Sequence, residues 1–490
     1  MISSDAEILK LKNTIKEEVC KLAWADNLTQ ESVDAMILRL FPGPKPTWRC
    51  CVYKEREIVR ERVKLAMGKN VSTNPKSRNI VQIIEPACDE CPIATYMVTD
   101  MCRFCLGKAC LNSCRFDAIS PGDSHMKIDP AKCRECGMCA SACPYGAIIH
   151  VERPCKKACP MDAISYNEYG IANINEEKCV NCGHCIHNCP FGAIGSKVYL
   201  VDIINEIKAG KEIIAMVAPS IEGQFGDANL ASIRQALRKI GFADMVEVGL
   251  GADLTAAYEA REWIEALEEG KKLTTSCCPA FVEMIRKNYP DLYEKNKSKT
   301  VSPMCAASRY LKVIKPDAKT VFIGPCVAKK KEAQNEDIAG NADYVMTYGE
   351  LQTLMNSCNV TFEPADDFEQ ESSLFGKKFA SSGGVANAVL EVMKELGEET
   401  ENVKLYRASG GAECKKALLL LKNNRLPEDF IEGMFCPGGC VGGPSRRKTE
   451  IEITKARTKQ LASADDRKIL DNIENLPLDK FSMFIDSPKD

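Results

Sequence analysis

No run of this chain approaches the roughly 18 consecutive apolar residues of a membrane-spanning helix, so no membrane association is expected. Nor is one sign of charge in excess. Lys and Arg number 65 against 68 Asp and Glu, a formal net charge of −3, which argues against nucleic acid or an anionic surface as partner. The opening residues MISSDAEILKLKNTIKEE are charged and amphipathic, without the apolar core and small-residue cleavage site of a secretory leader, so a cytoplasmic chain is expected. What the chain has in quantity is cysteine, 27 among 490 residues. In a reducing cytoplasm that density reads as metal or redox chemistry and not as a disulfide scaffold.

With 45% hydrophobic residues the chain can bury a sizeable core, and its length predicts two or three domains. Residues 1–84 read as a helical N-terminal segment of charged amphipathic helices, interrupted by FPGPKP at 41–46 and carrying Cys20, Cys50 and Cys51. The Glu and Lys spacing of YKEREIVRERVKLAM predicts a solvated helix face. Residues 85–195 hold sixteen cysteines in a repeat. MKIDPAKCRECGMCASACPYGAI and ANINEEKCVNCGHCIHNCPFGAI are copies, preceded by the half-copies CLNSCRFDAI and CKKACPMDAI. From 196 to 490 the pattern alternates. IIAMVAPS, DMVEVGL, KTVFIGPC, ADYVMTY and NVKLYRASG read as buried strands, and LTAAYEAREWIEAL and VANAVLEVMKEL as amphipathic helices between them. This predicts an α/β domain with parallel sheets, behind an α+β, bacterial-ferredoxin-like iron–sulfur domain. Ligands of open α/β sheets bind at the carboxyl ends of the strands. The C-terminal TKARTKQLASADDRKILDNIENL reads as one closing helix.

Cys133, Cys136, Cys139 and Cys143 are spaced C-x2-C-x2-C-x3-C before a proline, as are Cys179, Cys182, Cys185 and Cys189. In that run three cysteines bind one 4Fe–4S cluster and the fourth crosses to its neighbour. A zinc site would need pairs separated by a longer finger. Cys102, Cys105, Cys110 and Cys114 form a widened run, and Cys155 and Cys159 keep only the C-x3-C. Applying the crossing rule puts Cys102, Cys105, Cys110 and Cys143 in one group and Cys114, Cys133, Cys136 and Cys139 in a second. Cys159, Cys179, Cys182 and Cys185 make a third. Cys88, Cys91, Cys155 and Cys189 are left as a fourth, unless Cys88 and Cys91 are ordinary buried thiols. Three to four accessory clusters passing single electrons are expected.

Beyond Cys189, the cysteines in Gly/Pro-bounded turns are Cys277 and Cys278 in TSCCP, Cys326 in GPCVAKKKE, and Cys436 and Cys440 in MFCPGGCVGGP. Cys305, Cys358 and Cys414 lie in helix-like surroundings and read as core thiols. The three turn motifs, in this order over residues 196–445, resemble the catalytic domain of the [FeFe] hydrogenases. The resemblance implies an H-cluster, a 4Fe–4S cubane joined through a cysteine sulfur to a diiron centre bearing CO, cyanide and a bridging azadithiolate, which interconverts H2 with protons and electrons. It implies Cys278, Cys326, Cys436 and Cys440 as cubane ligands, with Cys440 bridging. Cys277 is then a proton relay and no ligand, since a thiol can exchange protons near neutral pH when its surroundings shift it. Glu259 and Glu262, three apart on one helix face, match the family's proton-path glutamates, and Ser298 matches a hydroxyl between them. Lys329 matches a lysine that holds a cyanide, Pro219 and Ser220 a contact to the other cyanide, and Phe379 and Met434 the pocket lining. Lys330 and Lys331 are expected to be solvated, and Glu332 to pair locally.

The resemblance further implies a ferredoxin-type electron carrier and maturation proteins that build the diiron unit. Departures from the family pattern are Gly324 where a methionine is usual, Met304 for a glutamine, Ala280 and Phe281 where a tryptophan follows TSCCP, and Ala266 for an arginine. The glycine is expected to admit water or to let the diiron unit move. A H2 sensor, or an iron–sulfur electron-transfer or assembly protein on the same fold, is the alternative reading.

Overall fold

The computed structural model describes residues 3–89, 91, 95–462 and 464–485, and of residues 3–6 and 460 the backbone alone. The chain opens with three helices, Ser3–Trp24, Gln30–Leu40 and Val52–Ala66, packed through Ile15, Val19, Ile37, Val59 and Val63. The loop carrying FPGPKP separates the second from the third, because proline removes the donors a helix needs. No helix among the described residues is long and apolar enough to cross a membrane.

The third helix differs from its expected solvated face. Glu55, Glu61 and Arg62 are all buried. Glu55 Oε1 accepts backbone N–H groups from Thr47, Trp48 and Arg49 at 2.6, 2.5 and 3.1 Å. Glu61 accepts from Ser72 N and Oγ, and Arg62 donates to Gly192 O at 2.6 Å. These charges are inside because they bind loops and the neighbouring iron–sulfur segment, which regular helical spacing does not reveal.

Four short antiparallel pairs make up the cysteine-rich region: Tyr96–Val98 with Ile148–His150, Ile119–Pro121 with Met126–Ile128, Ile164–Tyr166 with Ala172–Ile174, and Val81–Ile83 with Ile194–Ser196. The last pair ties chain upstream of residue 84 to the end of the repeat. Each copy folds as a unit in which short helices and loops carry the cysteines past a two-stranded ribbon.

The remainder is α/β, built on two parallel sheets. One has the order Asp244–Glu247, Ile213–Val217, Lys319–Gly324, Tyr344–Thr347. The other has the order Leu273–Thr274, Phe430–Met434, Leu405–Ser409. The central strands Ile213–Val217 and Phe430–Met434 are buried at every residue, as expected when helices cover both faces. The Val248–Glu268 helix lays Ala252, Ala256, Ala260 and Trp263 against the second sheet, with Trp263 stacked on Phe430 at 3.9 Å and 5°. The closing segment forms two helices, Glu450–Leu461 and Ile469–Ile473, and not one. Ile469 N and Leu470 N instead bind the Glu395 carboxylate, which starts the second helix afresh.

Replacing Glu55 by alanine leaves three backbone donors without their acceptor, a local cost of about 3 kcal/mol. Loss of amide-exchange protection at Thr47, Trp48 and Arg49 is the expected readout, and unchanged protection would show that the loop holds itself.

Candidate metal centre

Four strand ends deliver the turn motifs. Pro219 and Ser220 follow Ile213–Val217, Cys277 and Cys278 follow Leu273–Thr274, Cys326 follows Lys319–Gly324, and Cys436 follows Phe430–Met434. All of these, with Cys440, Lys329, Phe379 and Met434, line one cavity. About 80 Å³ of it is open to the centre of a water molecule, and Phe322, Met304 and several prolines complete a largely apolar wall.

Cys277 and Cys278 separate for a local reason. Pro279 opens the Pro279–Asn288 helix, and a residue before proline is held extended, as Cys278 is at φ −96° and ψ 107°. Successive side chains of extended backbone point apart. Cys277 packs with Ala252, Ala256 and Trp263, whereas Cys278 also touches the cluster around Phe281, Phe435 and Ile431. The third motif reaches the cavity through Gly439, at φ +88°, where a Cβ would meet Ser382 N at 2.7 Å and Ala380 O at 2.8 Å. Only glycine allows that approach without strain.

Burial dominates the electrostatics. It pushes the Cys277 thiol well above its ordinary value, with the Glu259 carboxylate adding to the shift. Glu259 is itself fully buried, and neither of its oxygens makes a hydrogen bond of good geometry, with Ser276 and Ser298 among its polar neighbours. Burial first and Glu262 second raise it far above the usual carboxylate range. Glu262, half-buried, accepts from Ser298 Oγ and from Lys299 N at 2.9 Å, and burial raises it as well. Cys277, Glu259 and Ser298 are buried and Glu262 half-buried, so the series runs from the cavity toward solvent, and burial holds the thiol and both carboxyls neutral more readily than in water.

Lys329 Nζ lies 2.8 Å from Ser302 Oγ, 2.7 Å from Glu332 Oε2 and 3.4 Å from Cys277 O. Burial lowers its proton affinity, but Glu332, with Cys326 and Cys277 adding to it, more than offsets this, so the ammonium is held above its ordinary value. Its anionic partner within the protein is thus Glu332, the local pair expected. Lys330 is not solvated. It is fully buried, 2.6 Å from Glu350 and donating to Lys197 O at 2.7 Å. Glu350 is there because it closes a capping box with Thr347, a pairing across sequence that the KKK run conceals.

Ser220 Oγ is 2.7 Å from Tyr348 Oη, and Pro219 O accepts from Arg457 at 3.0 Å. Neither Tyr348 nor Arg457 stood out in the sequence, since each lies far along the chain from the motif it supports. Gly324 stands where a side chain would have no room. A Cβ there would meet Phe322 Cε1 at 2.5 Å, so the ring of Phe322 occupies the space.

The other cysteines gather as well. Cys102, Cys105, Cys110 and Cys143 line one small cavity, Cys114, Cys133, Cys136 and Cys139 a second, and Cys88, Cys91, Cys155 and Cys189 a third. Cys159, Cys179, Cys182 and Cys185 are electrostatic neighbours of one another. Among the described residues no three metal-binding side chains lie close enough to hold a single ion, so these thiols rim spaces instead of converging on a point. The loop at Gly183 abuts Val327, next to Cys326, where a Cβ would stand 3.0 Å away, and Cys436 is an electrostatic neighbour of Cys182.

This is the arrangement of an iron–sulfur oxidoreductase family, and comparison with known proteins gives the family. Residues 211–444 match the model of the iron only hydrogenase large subunit, C-terminal domain. Residues 126–149 match a 4Fe–4S binding domain and 149–200 an LdpA Fe–S cluster-binding domain. The periplasmic [Fe] hydrogenase large subunit of Nitratidesulfovibrio vulgaris is 31% identical over 374 residues, 65% of this chain and 85% of that protein. Iron hydrogenase 1 of Clostridium pasteurianum is 27% identical over 406 residues, 70% of this chain and 69% of that protein. A solved variant of [FeFe]-hydrogenase HydA1 from Chlamydomonas reinhardtii superposes with a TM-score of 0.42 at 21% identity, covering 54% of this chain and 87% of that one. More distant relatives include a probable cytosolic Fe–S cluster assembly factor of Brugia malayi, 22% identical over 46% of this chain and 59% of that protein. The chain belongs to the iron-only, or [FeFe], hydrogenase family.

Removing one member of a buried pair strands the other. Lys330→Met is expected to cost about 3–5 kcal/mol and to lower the melting temperature measured under argon. The double variant with Glu350→Gln should recover part of that loss, and equal melting of the single variant and the parent would remove the pair's structural role.

Proposed function

We propose that the protein is an [FeFe] hydrogenase that interconverts H2 with protons and electrons. One observation carries this reading: four turn cysteines share an apolar-walled cavity with Cys277, whose thiol leads to a fully buried carboxyl, Glu259, that lacks a hydrogen-bond partner of good geometry. The residues fit the cofactor the family implies. Soft thiolates suit an iron–sulfur group, the wall is apolar, and Lys329 places a positive charge where anionic ligands would lie.

Cys278, Cys326, Cys436 and Cys440 would hold the cubane, and Ser220, Pro219, Lys329, Phe379 and Met434 would surround the diiron part. When bound, that cofactor supplies the iron at which H2 is made or split. The chain's own task is the proton. Cys277 Sγ gives or takes it at the cavity, the Glu259 carboxyl stores it in neutral form, and Ser298 Oγ passes it to Glu262, which meets solvent. General acid–base relays of this kind contribute about 10²- to 10⁴-fold.

Electrons take the other side. The four cysteine groups would hold four 4Fe–4S clusters, with the Cys159, Cys179, Cys182 and Cys185 group nearest the catalytic cysteines, and a ferredoxin-type carrier at the far end. Residues 1–84, 85–195 and 196–490 would serve as support, wire and catalytic domain of a cytoplasmic enzyme whose diiron unit comes from maturation proteins. The Fe–S assembly relatives favour a second reading, cubanes without a diiron centre.

Infrared spectra of protein loaded with iron, sulfide and a synthetic diiron cofactor separate the two. CO and cyanide bands with H2 evolution from a reduced low-potential donor are expected, and absence of the bands removes the hydrogenase reading. Bands without turnover in either direction would indicate a sensor. Cys277→Ala should keep the bands and lose at least about 100-fold in turnover, and near-parental turnover refutes its role. A Cys88→Ser, Cys155→Ser variant should carry about four fewer irons per chain, and an unchanged count would dissolve the fourth cluster.

A further inference from the structure

Away from the catalytic cavity, the Ser3–Trp24 helix, the Val52–Ala66 helix, the cysteine loop ending at Cys189 and the segment after Cys440 enclose a second cavity. About 300 Å³ of it is open to the centre of a water molecule. Its ionisable lining is five cations, Lys12, Lys16, Arg62, Arg446 and Arg447, one acid, Glu350, and His187 and Cys189. Glu350 is committed elsewhere, to Lys330 at 2.6 Å and to Thr347 N at 2.9 Å.

Arg62 is only 7% exposed, and while one of its nitrogens donates to Gly192 O, its Nε has no partner. Arg446 and Arg447 stand exposed at the rim, the latter over the Phe225 ring at 4.9 Å. Burial, only partly countered by Glu350, depresses the Lys16 ammonium, and Lys330 and Arg447 add repulsion. Cations crowded about a half-enclosed space repel one another, and the buried one, Arg62, is poorly hydrated. An anion with several oxygens relieves both costs, and guanidinium groups bind such oxygens with directional hydrogen bonds.

We propose that this cavity binds a small multivalent oxyanion, of the phosphate-ester or polycarboxylate type, at the seam between the N-terminal helices, the iron–sulfur repeat and the catalytic domain. The bound anion bridges Arg62 and Lys16 inside to Arg446 and Arg447 at the mouth. It thereby ties the first helix to the segment that follows Cys440. Because it binds only the folded chain, it raises thermal stability in proportion to the logarithm of its concentration. The inference stands apart from the hydrogenase reading, since it needs no diiron unit.

The test is calorimetry on the full iron–sulfur-loaded chain at low ionic strength. Inorganic pyrophosphate and tricarballylate are the two probes, and sodium chloride at matched ionic strength is the control. Saturable binding of one anion per chain by either probe, absent with chloride, is expected; pyrophosphate alone marks a phosphate site and tricarballylate alone a carboxylate site. Arg446→Gln, an exposed rim change, and Lys16→Gln should each weaken the dissociation constant at least tenfold. No saturable binding, or equal constants in parent and both variants, overturns the proposal.

Discussion

The cysteine-lined cavity depends on one close backbone approach. Gly439 pairs with Ser381 in an isolated bridge, so close that a single added carbon would strike Ser382 N and Ala380 O. That contact fixes the loop between Cys436 and Cys440 against the segment that follows Phe379. With it in place, cysteines from the ends of both sheets face one space. Without it Cys440 would swing away from Cys278 and Cys326, which are fixed independently by strands of different sheets. The site is therefore a junction of two rigid frameworks, closed by a glycine, and this is how a fold holds ligands from remote positions to tolerances a flexible loop could not give.

Burial is the second constraint, and it shapes the polar groups nearby. Lys329 remains charged because Glu332 and Ser302 meet it. Glu259, with no such partner, is driven toward its neutral form by burial and by Glu262. Glu432, buried in the strand before Cys436, keeps its place by accepting the Gly383 and Ala386 N–H groups at 2.7 and 3.0 Å. It thus joins the helix Gly384–Glu395 to the second sheet. The same interior thus keeps the Lys329–Glu332 pair ionised and holds Glu259 toward its neutral form.

The sequence made the cysteines legible because their chemistry is local. C-x2-C-x2-C-x3-C and TSCCP state their own spacing, and the strands Ile213–Val217, Asp244–Glu247, Lys319–Gly324, Tyr344–Thr347 and Leu405–Ser409 show as apolar runs at their expected places. The strand Phe430–Met434 was not legible, since FIEGM carries a glutamate whose partners are 46 and 49 residues away. Lys330 and Glu55 were misread for the same reason. A charged residue on a helix looks solvated until a distant backbone or carboxylate claims it, and that claim is tertiary. Gly324 shows the converse, because a missing side chain opens a cavity only if no neighbour fills it, and Phe322 does.

The two copies of the ferredoxin run show how position in the molecule divides identical local chemistry. Their loops share a sequence pattern, yet the residue before the third cysteine is Met138 in one, half exposed, and His184 in the other, stacked on Phe435 at 6.1 Å. The glycine preceding it faces the Tyr96 hydroxyl in the first copy and Val327 in the second. After the proline, Tyr145 of the first copy is half exposed, whereas Phe191 of the second lies under the Arg49 guanidinium. Met101, Phe104 and Leu106 extend the exposed apolar surface of the first copy, Leu106 at 98%. Cysteine spacing thus sets what each loop can hold, and the residues between the cysteines set which way it faces: the second copy is turned inward onto the α/β domain, and the first, with its apolar side chains in water, is left as the outer end.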